Sequence, residues 1–402
     1  MSLVIVGYWL STITQGASLS LMLIIKTSVL GLSFAVTSIK CRNIAVFKTL
    51  KNNWSSRSFI ILAILATLPT FYSGVGFYRT LTLILPLYYI IQSVTYLIGT
   101  FGLFDFIKKI TLAFLLIYSI PLFSYLIYGG GFAVYNIYGY SEESNGAFVS
   151  NHYGWSSAIV ITSIFIYWRL VRLSYLIKIL FAALLLLAFY FLFISGSRSG
   201  LVSLALILIL IISKRNIMGL RYKISLILIT TFFTINLLKK QDSALNFVVD
   251  KTKSQIETGG DSRTLRTEKI LAYFEEKPVL WFTGIGLFNK AELKNRIGFY
   301  GYHNSYWDVL FGGGIVLFLI FLRLAVWYQL KAVIFSSNPF VLLFPIFLII
   351  PFFESNLTSG QFLFFPWFVV VSTLAHRDFT TKIKRRPGKS SYRSFHPLSS
   401  TA

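Results

Sequence analysis

The chain has 402 residues, of which 55% are hydrophobic and only 13% are charged, and its mean hydropathy is +0.71. An average soluble protein carries about 25% charged residues, so this composition excludes an ordinary soluble fold and indicates a protein that crosses a membrane several times. The formal charge of +23 does not call for nucleic acid as a partner, because Lys and Arg gather on the cytoplasmic loops of membrane proteins.

Apolar runs divide the chain into about twelve candidate spans, since about 20 residues cross a bilayer and shorter runs suffice where their ends tuck into the bundle. The predicted spans are 2–14, 17–39, 58–74, 80–100, 107–128, 155–168, 175–195, 200–213, 224–238, 306–328, 339–353 and 361–376. We therefore expect an all-α polytopic fold with one transmembrane domain, 1–376, followed by a basic cytoplasmic tail without fixed structure, 377–402.

The distribution of charge tests this span count independently of hydropathy. With an even number of spans, one side receives the basic clusters at 40–57, 108–109, 169–178, 214–223, 331 and 377–393. Asp105 and Asp378 are the only acidic residues that fall on that side. Because basic loops stay inside, we expect both termini in the cytoplasm and the polar stretch 239–305 outside it. The basic tail is then an orientation signal on anionic lipid rather than a nucleic-acid site.

The long polar stretch has a predicted order of its own. Asp261 and Ser262 can cap a helix from about Arg263 to Glu276, which Lys277 and Pro278 end. The glycines of WFTGIGLFN, Gly284 and Gly286, would allow a tight turn. The run YGYHNSYWD then leads into the next span. We therefore expect short helices inside a large extracytoplasmic loop.

Arg198 stands in the short break SGSRSG between two apolar runs. A charge at membrane depth is costly and needs a partner or a function. Its small neighbours would leave room for an anionic group such as a phosphate, which arginine grips with two hydrogen bonds. The alternative is a tight turn at which Arg198 contacts lipid headgroups, and composition alone leaves both interpretations open.

Four further residues are candidates for the same site. Arg263 and Arg266 could form a second cationic clamp near a helix N-terminus, or simply a solvated face paired with Glu268. His303 can exchange a proton near neutral pH, or be a hydrogen-bonded structural histidine. Glu354, in FFESN, could neutralise an arginine or hold a sugar hydroxyl, or lie in a short exposed loop.

Metal and nucleotide chemistry have no positive support in the sequence. The single Cys41 excludes an intramolecular disulfide framework and a cysteine-rich metal site. The chain contains neither an HExxH motif nor a Walker loop. We therefore expect no cofactor and no metal.

Three segments, in this order, resemble the O-antigen ligase/polymerase superfamily of bacterial envelope glycosyltransferases. They are SGSRSG, then DSRTLRTEKILAYFEEKPVLWFTGIGLFN, then YHNSYWDVLFGGGIVLF leading into a span. The resemblance covers residues 185–330 well, whereas the first 150 residues are similar only in being a row of spans.

The resemblance implies a GT-C-like membrane glycosyltransferase in the bacterial inner membrane, with its active site on the extracytoplasmic side. The donor would be an oligosaccharide on undecaprenyl diphosphate, and the acceptor a glycan or lipid A-core. The family's functional arginines and histidine fall on Arg198, Arg263 and His303, whereas Arg266 has no firm counterpart. Substrate contacts are expected from Arg266, Tyr302, Asn304 and Glu354. The expected partners are the lipid bilayer and other polysaccharide assembly proteins.

Three functions remain in competition at this point. SGSRSG, the GGG run at Gly312 to Gly314 and the ending FLFFPWF favour a polymerase of lipid-linked repeat units. The second is the ligase that transfers the finished glycan to lipid A-core. The third is a transporter or flippase for the same glycan, which would more typically show repeated halves, and no such repeat is visible in this chain.

Overall fold

The structure is a computed structural model, and it describes residues 97–98, 101–128, 151–171, 173–195, 197–213, 219, 223–224, 227–228, 231–232, 235, 262–286, 294–295, 298, 304–336 and 338–353. All regular elements in these ranges are helical. They are α1 (Leu103–Tyr128), α2 (Asn151–Leu170), α3 (Tyr175–Ile194), α4 (Arg198–Ser213), α5 (Ser262–Glu276), α6 (Leu280–Thr283), α7 (Ser305–Leu322), a π-helical turn (Arg323–Trp327), α8 (Tyr328–Phe335), a 3₁₀ turn (Pro339–Leu343) and α9 (Phe344–Phe353).

The mostly helical fold expected from the sequence is confirmed. Each predicted span that falls in the described ranges corresponds to a helix, with boundaries shifted by a few residues. Within the described residues, two segments, Tyr175–Phe193 and Ser305–Leu322, are long and apolar enough to cross a membrane. The predicted spans 2–14, 17–39, 58–74, 80–100, 224–238 and 361–376 lie wholly or largely outside the described residues, so the count of about twelve and the GT-C topology stay predictions.

Helix α2 is the centre of the described bundle. Its residues from Tyr153 to Phe165 are all buried, as expected for a helix that is apolar on all sides. Two of its hydroxyls bond back to their own helix: Ser157 Oγ donates to Tyr153 O at 2.7 Å, and Thr162 Oγ1 donates to Ala158 O at 2.7 Å. This local bonding satisfies polar side chains where no water reaches them.

Aromatic rings join α2 to its neighbours on both sides. Trp155 meets Tyr118 of α1 edge to face, with ring centroids 5.7 Å apart. Tyr153 stacks on Phe191 of α3 at 6.0 Å. All four rings are almost fully buried, and such large aromatic surfaces dominate the packing energy of a core. The contacts fix the start of α2 beside the end of α3.

Helix α3 has one buried and one exposed side, and both are apolar. Phe189 and Leu192 are inaccessible, whereas Leu176, Leu180 and Leu186 are exposed. In water, such a large apolar face would be unfavourable. A lipid environment removes that conflict, in agreement with the length and composition of the helix.

Helix α7 is interrupted by Gly314, whose φ of 76° and ψ of 175° are not helical. This combination is essentially restricted to glycine. The interruption leaves the carbonyls of the preceding turn without their usual helical donors. Instead, Phe311 O accepts from Ile285 N at 2.9 Å, and Gly312 O accepts from Gly286 N at 2.8 Å.

The two chain segments meet backbone to backbone. A Cβ on Gly314 would collide with the carbonyl oxygen of Phe282, and a Cβ on Gly284 would collide with the carbonyl of Gly312. Gly284 and Gly286 both have positive φ, 66° and 100°, so the tight turn predicted at these glycines is present. We call this contact, between residues 282–286 and residues 311–314, the glycine lock.

Aromatic packing holds α5 against the same place. Phe274 of α5 meets Phe311 edge to face at 5.1 Å and Trp281 edge to face at 5.2 Å, and Trp307 stacks on Phe311 at 5.2 Å. Ile270 and Ile285 complete the cluster. The glycine lock and this cluster together anchor the second half of the long polar stretch to α7.

We predict that Gly314→Ala destabilises the protein more than Gly102→Ala. Both glycines have a φ of 76°, but a Cβ at Gly102 would meet nothing within 4 Å. Gly102→Ala should therefore cost only the left-handed backbone penalty, about 1–2 kcal/mol. Gly314→Ala should cost about 1–3 kcal/mol for a backbone conformation that is essentially restricted to glycine, plus about 1–3 kcal/mol for overpacking against Phe282. Thermal unfolding of the two purified variants in detergent measures the difference, and equal losses would contradict the glycine lock.

Candidate functional site

The predicted break SGSRSG is a tight turn between α3 and α4, held by its own serines. Ser195 Oγ donates to Leu192 O at 2.8 Å and accepts from Ser197 N at 3.3 Å. Ser197 Oγ accepts from Gly200 N at 3.2 Å, which is the bond of a helix N-cap. The cap explains why α4 begins at Arg198, two residues earlier than predicted from hydropathy.

Glycines bring this turn against the start of α2. A Cβ on Gly154 would collide with the side chains of Ser195 and Ser197. A Cβ on Gly200 would come within 2.9 Å of the Gly154 carbonyl and 2.8 Å of Leu192 Cδ1. The close approach buries the hydroxyls of Ser195, Ser197 and Ser199. Sequence analysis missed Gly154, because its partners are more than 40 residues away along the chain.

Arg198 is the first residue of α4, and Arg263 is the second residue of α5. Their side chains lie outside the described part of the chain. The position in the helix is informative by itself, since the N-terminus of a helix carries partial positive charge and disfavours a cation. An anion bound at either helix start would turn this unfavourable placement into a favourable one.

Helical spacing relates the loop arginines to the packed side of α5. Arg263, Arg266 and Ile270 are separated by three and four residues and so share one face. Ile270 is fully buried, and the Nε atom of Arg266 is enclosed by protein. Glu268, Lys269 and Glu275 are exposed. Arg266 is half-buried at the edge of the packed face, so a substrate contact and a pairing with Glu268 both stay predictions for it.

Asn304 is the N-cap of α7. Its Oδ1 accepts from Tyr306 N at 2.9 Å and from Trp307 N at 3.3 Å, and the residue is buried. The structure thus gives Asn304 a role in starting the helix, and its expected substrate contact stays a prediction. His303, Tyr302 and Glu354 lie outside the described residues.

The start of α7 lies beside the end of α9. Tyr306 Oη donates to Leu348 O at 3.0 Å, and the Tyr306 and Phe352 rings are 6.3 Å apart. His303 directly precedes Asn304, the N-cap of α7, and Glu354 directly follows the last residue of α9. Helix α9 also packs along α4, so it links the helix that begins at Arg198 with the helix that Asn304 caps.

The structure also shows features that sequence analysis did not single out as site elements. Asp308, in the first turn of α7, is 5% exposed. It stands four residues after Asn304 and so adds a buried carboxylate near the candidate site. The sequence gives one signal for it, a carboxylate at the start of an apolar run. Among the described His, Cys, Asp and Glu side chains, no group of three could hold a metal ion.

Residues 183–322 match the family model described as O-antigen ligase. This confirms the resemblance to the O-antigen ligase/polymerase superfamily over the part of the chain that holds the serine turn, α5, the glycine lock and the start of α7. Neither a curated protein nor a solved structure gave a match.

The family match carries general properties with it. Proteins of this family are membrane-integral, glycosyltransferase-like enzymes of bacteria that take part in polysaccharide and lipopolysaccharide biosynthesis. Their substrates are in general lipid-linked glycans and the lipid A-core acceptor. The match does not separate polymerases from ligases.

We predict that Asn304→Ala destabilises the protein by about 1 kcal/mol, the usual loss for removing an N-cap. Asn304→Ser should lose less stability than Asn304→Ala, because serine is a neutral residue that caps a helix about as well as asparagine does. Thermal unfolding of the two detergent-solubilised variants measures the difference. If serine lowered the unfolding temperature as much as alanine, the capping role of the Asn304 oxygen would be wrong.

Proposed function

We propose that this protein is a polymerase that joins undecaprenyl-diphosphate-linked oligosaccharide repeat units into O-antigen, capsule or exopolysaccharide. The O-antigen ligase family match over residues 183–322 supports the transfer of a lipid-linked glycan, which polymerases and ligases share, and SGSRSG, the GGG run and FLFFPWF favour the polymerase. The matched region includes both helix starts with an arginine in the first turn and the segment that leads to α7. We place the protein in the bacterial inner membrane with both termini in the cytoplasm.

The reaction breaks the bond between the anomeric carbon of the donor sugar and the diphosphate oxygen. The oxygen of an acceptor hydroxyl forms the new bond to that carbon, and the lipid diphosphate leaves with the electron pair. The hydroxyl proton passes to a base, for which His303 is the candidate because imidazole accepts protons near neutral pH. The same mechanism has two forms. In one, His303 is the general base that takes the proton, and in the other it only orients the hydroxyl by a hydrogen bond.

The departing diphosphate gains negative charge in the transition state. Positioned arginines and helix N-termini stabilise such charge without a metal ion. Arg198 begins α4 and Arg263 stands second in α5, so each would complete an anion site only when the diphosphate is present. We assign the donor diphosphate to these two residues, and no metal or cofactor to the reaction.

The remaining candidates would hold the sugars. Tyr302 offers an aromatic ring and a hydroxyl, and Asn304 has an amide nitrogen besides the oxygen that caps α7. Glu354 follows α9, whose end lies beside the start of α7, so its place in the chain is compatible with a role near Asn304. Arg266 is the weakest assignment, because the enclosure of its Nε also suits a structural role.

The ligase and the flippase are the two alternatives. The ligase shares the donor and the reaction but transfers the glycan to lipid A-core. The polymerase is favoured by SGSRSG, the GGG run and the ending FLFFPWF. A flippase would use repeated halves, whereas the long polar stretch occurs once in this chain. The protein would act together with other polysaccharide assembly proteins.

We predict that Arg198→Ala and His303→Ala each abolish surface glycan while the protein still inserts into the membrane. The first removes charge neutralisation of the leaving group, and the second removes the partner of the acceptor hydroxyl. Gel analysis of surface glycan, with immunoblotting of membranes for the protein, measures both effects. Arg169→Ala, in the last turn of α2, is a matched arginine control and should retain glycan. Normal glycan from both site variants would overturn the assignment.

Reconstitution separates the three functions. The purified protein in liposomes, given only the undecaprenyl-diphosphate-linked repeat unit, should produce longer lipid-linked chains and release undecaprenyl diphosphate. Because arginines replace a metal in the proposed mechanism, addition of EDTA should leave the rate unchanged. Product that forms only after lipid A-core is added would establish the ligase, and movement of the donor across the bilayer without a new glycosidic bond would establish the flippase.

A further inference from the structure

The short helix α6 turns apolar side chains away from the protein. Val279, at its N-cap, is 69% exposed, and Phe282 is 68% exposed. Trp281, between them, packs instead on Phe274 and Phe311. The helix therefore has one side fixed to the bundle and an opposite side that is apolar and uncovered by the described residues.

The glycine lock determines how far along α7 this exposed side lies. The carbonyl oxygen of Phe282 faces Gly314, nine residues after the start of the helix at Ser305. At a rise of 1.5 Å per residue, this point is about 12–14 Å along α7. Helix α6 is therefore displaced well along the apolar helix from the end that Asn304 caps.

The start of α7 at Ser305 lies at the boundary between the apolar helices and the polar segments that flank them, which marks one edge of the membrane hydrocarbon layer. Tyr306 lies beside Leu348 and Phe352 of α9, and α9 consists of the apolar run FPIFLIIPFF. The sequence becomes polar on both sides of this level, with Glu354 to Asn356 after α9 and the HN pair before α7. A hydrocarbon layer is about 30 Å thick, so a point 12–14 Å inward lies within one leaflet.

The sequence of the loop changes character at the same place. Glu275, Glu276 and Lys277 are exposed and charged, and the Nζ of Lys277 lies 5.4 Å from the centre of the Tyr273 ring. From Pro278 to Phe282 the residues are apolar. A lysine at a membrane surface extends its charge toward the headgroups while its stem stays in the apolar region, so the position of Lys277 directly before this apolar run suits an entry point into lipid.

We propose that residues 278–283, the turn and helix α6, insert into the leaflet on the loop side of the membrane. Val279 and Phe282 there contact the hydrocarbon chains of bilayer lipids. The long polar stretch is then not entirely in water, because its middle returns to the membrane and is held there by the glycine lock. Phe282 would then contact lipid at a distance of about 30 Å or less from Arg263, because the chain between them is largely helical.

Spin-label accessibility tests the proposal without any substrate, so its outcome does not depend on the proposed enzymatic function. The single cysteine is first removed by Cys41→Ser, and Phe282→Cys and Val279→Cys are labelled separately in liposomes. Leu319→Cys, at an exposed position of α7, gives the lipid reference. Glu268→Cys, at an exposed position of α5, gives the water reference.

We predict that oxygen relaxes the labels at Phe282 and Val279 as strongly as at Leu319, relative to a water-soluble nickel reagent. The oxygen-to-nickel ratio should be several-fold higher than at Glu268, because oxygen concentrates in hydrocarbon and nickel is excluded from it. A ratio like that of Glu268 at either position would overturn the proposal. Low access to both reagents would also overturn it, since that result indicates contact with protein rather than lipid.

Discussion

The interruption of α7 at Gly314 is the constraint on which the rest of the described site depends. It exposes the carbonyls of Phe311 and Gly312, which then accept hydrogen bonds from Ile285 and Gly286. Unbonded backbone carbonyls are costly where water is excluded, so the interruption and the returning loop stabilise each other. Because α5 packs on the same segment through the Phe274 ring, the loop helix that carries Arg263 and Arg266 is held against α7 by aromatic contacts beside the backbone contacts of the glycine lock.

Hydropathy predicted the apolar helices of the described residues with boundaries shifted by a few residues. It did not predict the interruption of α7. The run from Val309 to Leu322 is apolar apart from its glycines, and an apolarity scale does not register a glycine with positive φ. The signals were present separately, as GIG in the loop and GGG in the helix. Their pairing is a tertiary contact across about 28 residues, and neither local propensity nor periodicity reports such contacts.

In the candidate site, too, the sequence predicted individual residues but not the tertiary contacts between them. Residue chemistry pointed to Arg198 in a small-residue break, and the structure adds that Ser197 caps α4 so that Arg198 lies in its first turn. The contact of this turn with Gly154 was beyond sequence reasoning, because a lone glycine near a predicted helix start has no distinguishing pattern. For Asn304, a substrate contact was expected with the resemblance, and the structure adds that its side-chain oxygen caps α7.

Helix starts are the recurring element in this arrangement. Helices α4, α5 and α7 each begin with or just after a small polar residue, Ser197, Ser262 or Asn304. In two of them an arginine stands in the first turn, where the helix dipole opposes a positive charge. Such placements lower stability unless an anion compensates them, and a lipid-linked diphosphate would supply two charged groups. The position of the two arginines is therefore physically consistent with the proposed binding of a diphosphate leaving group.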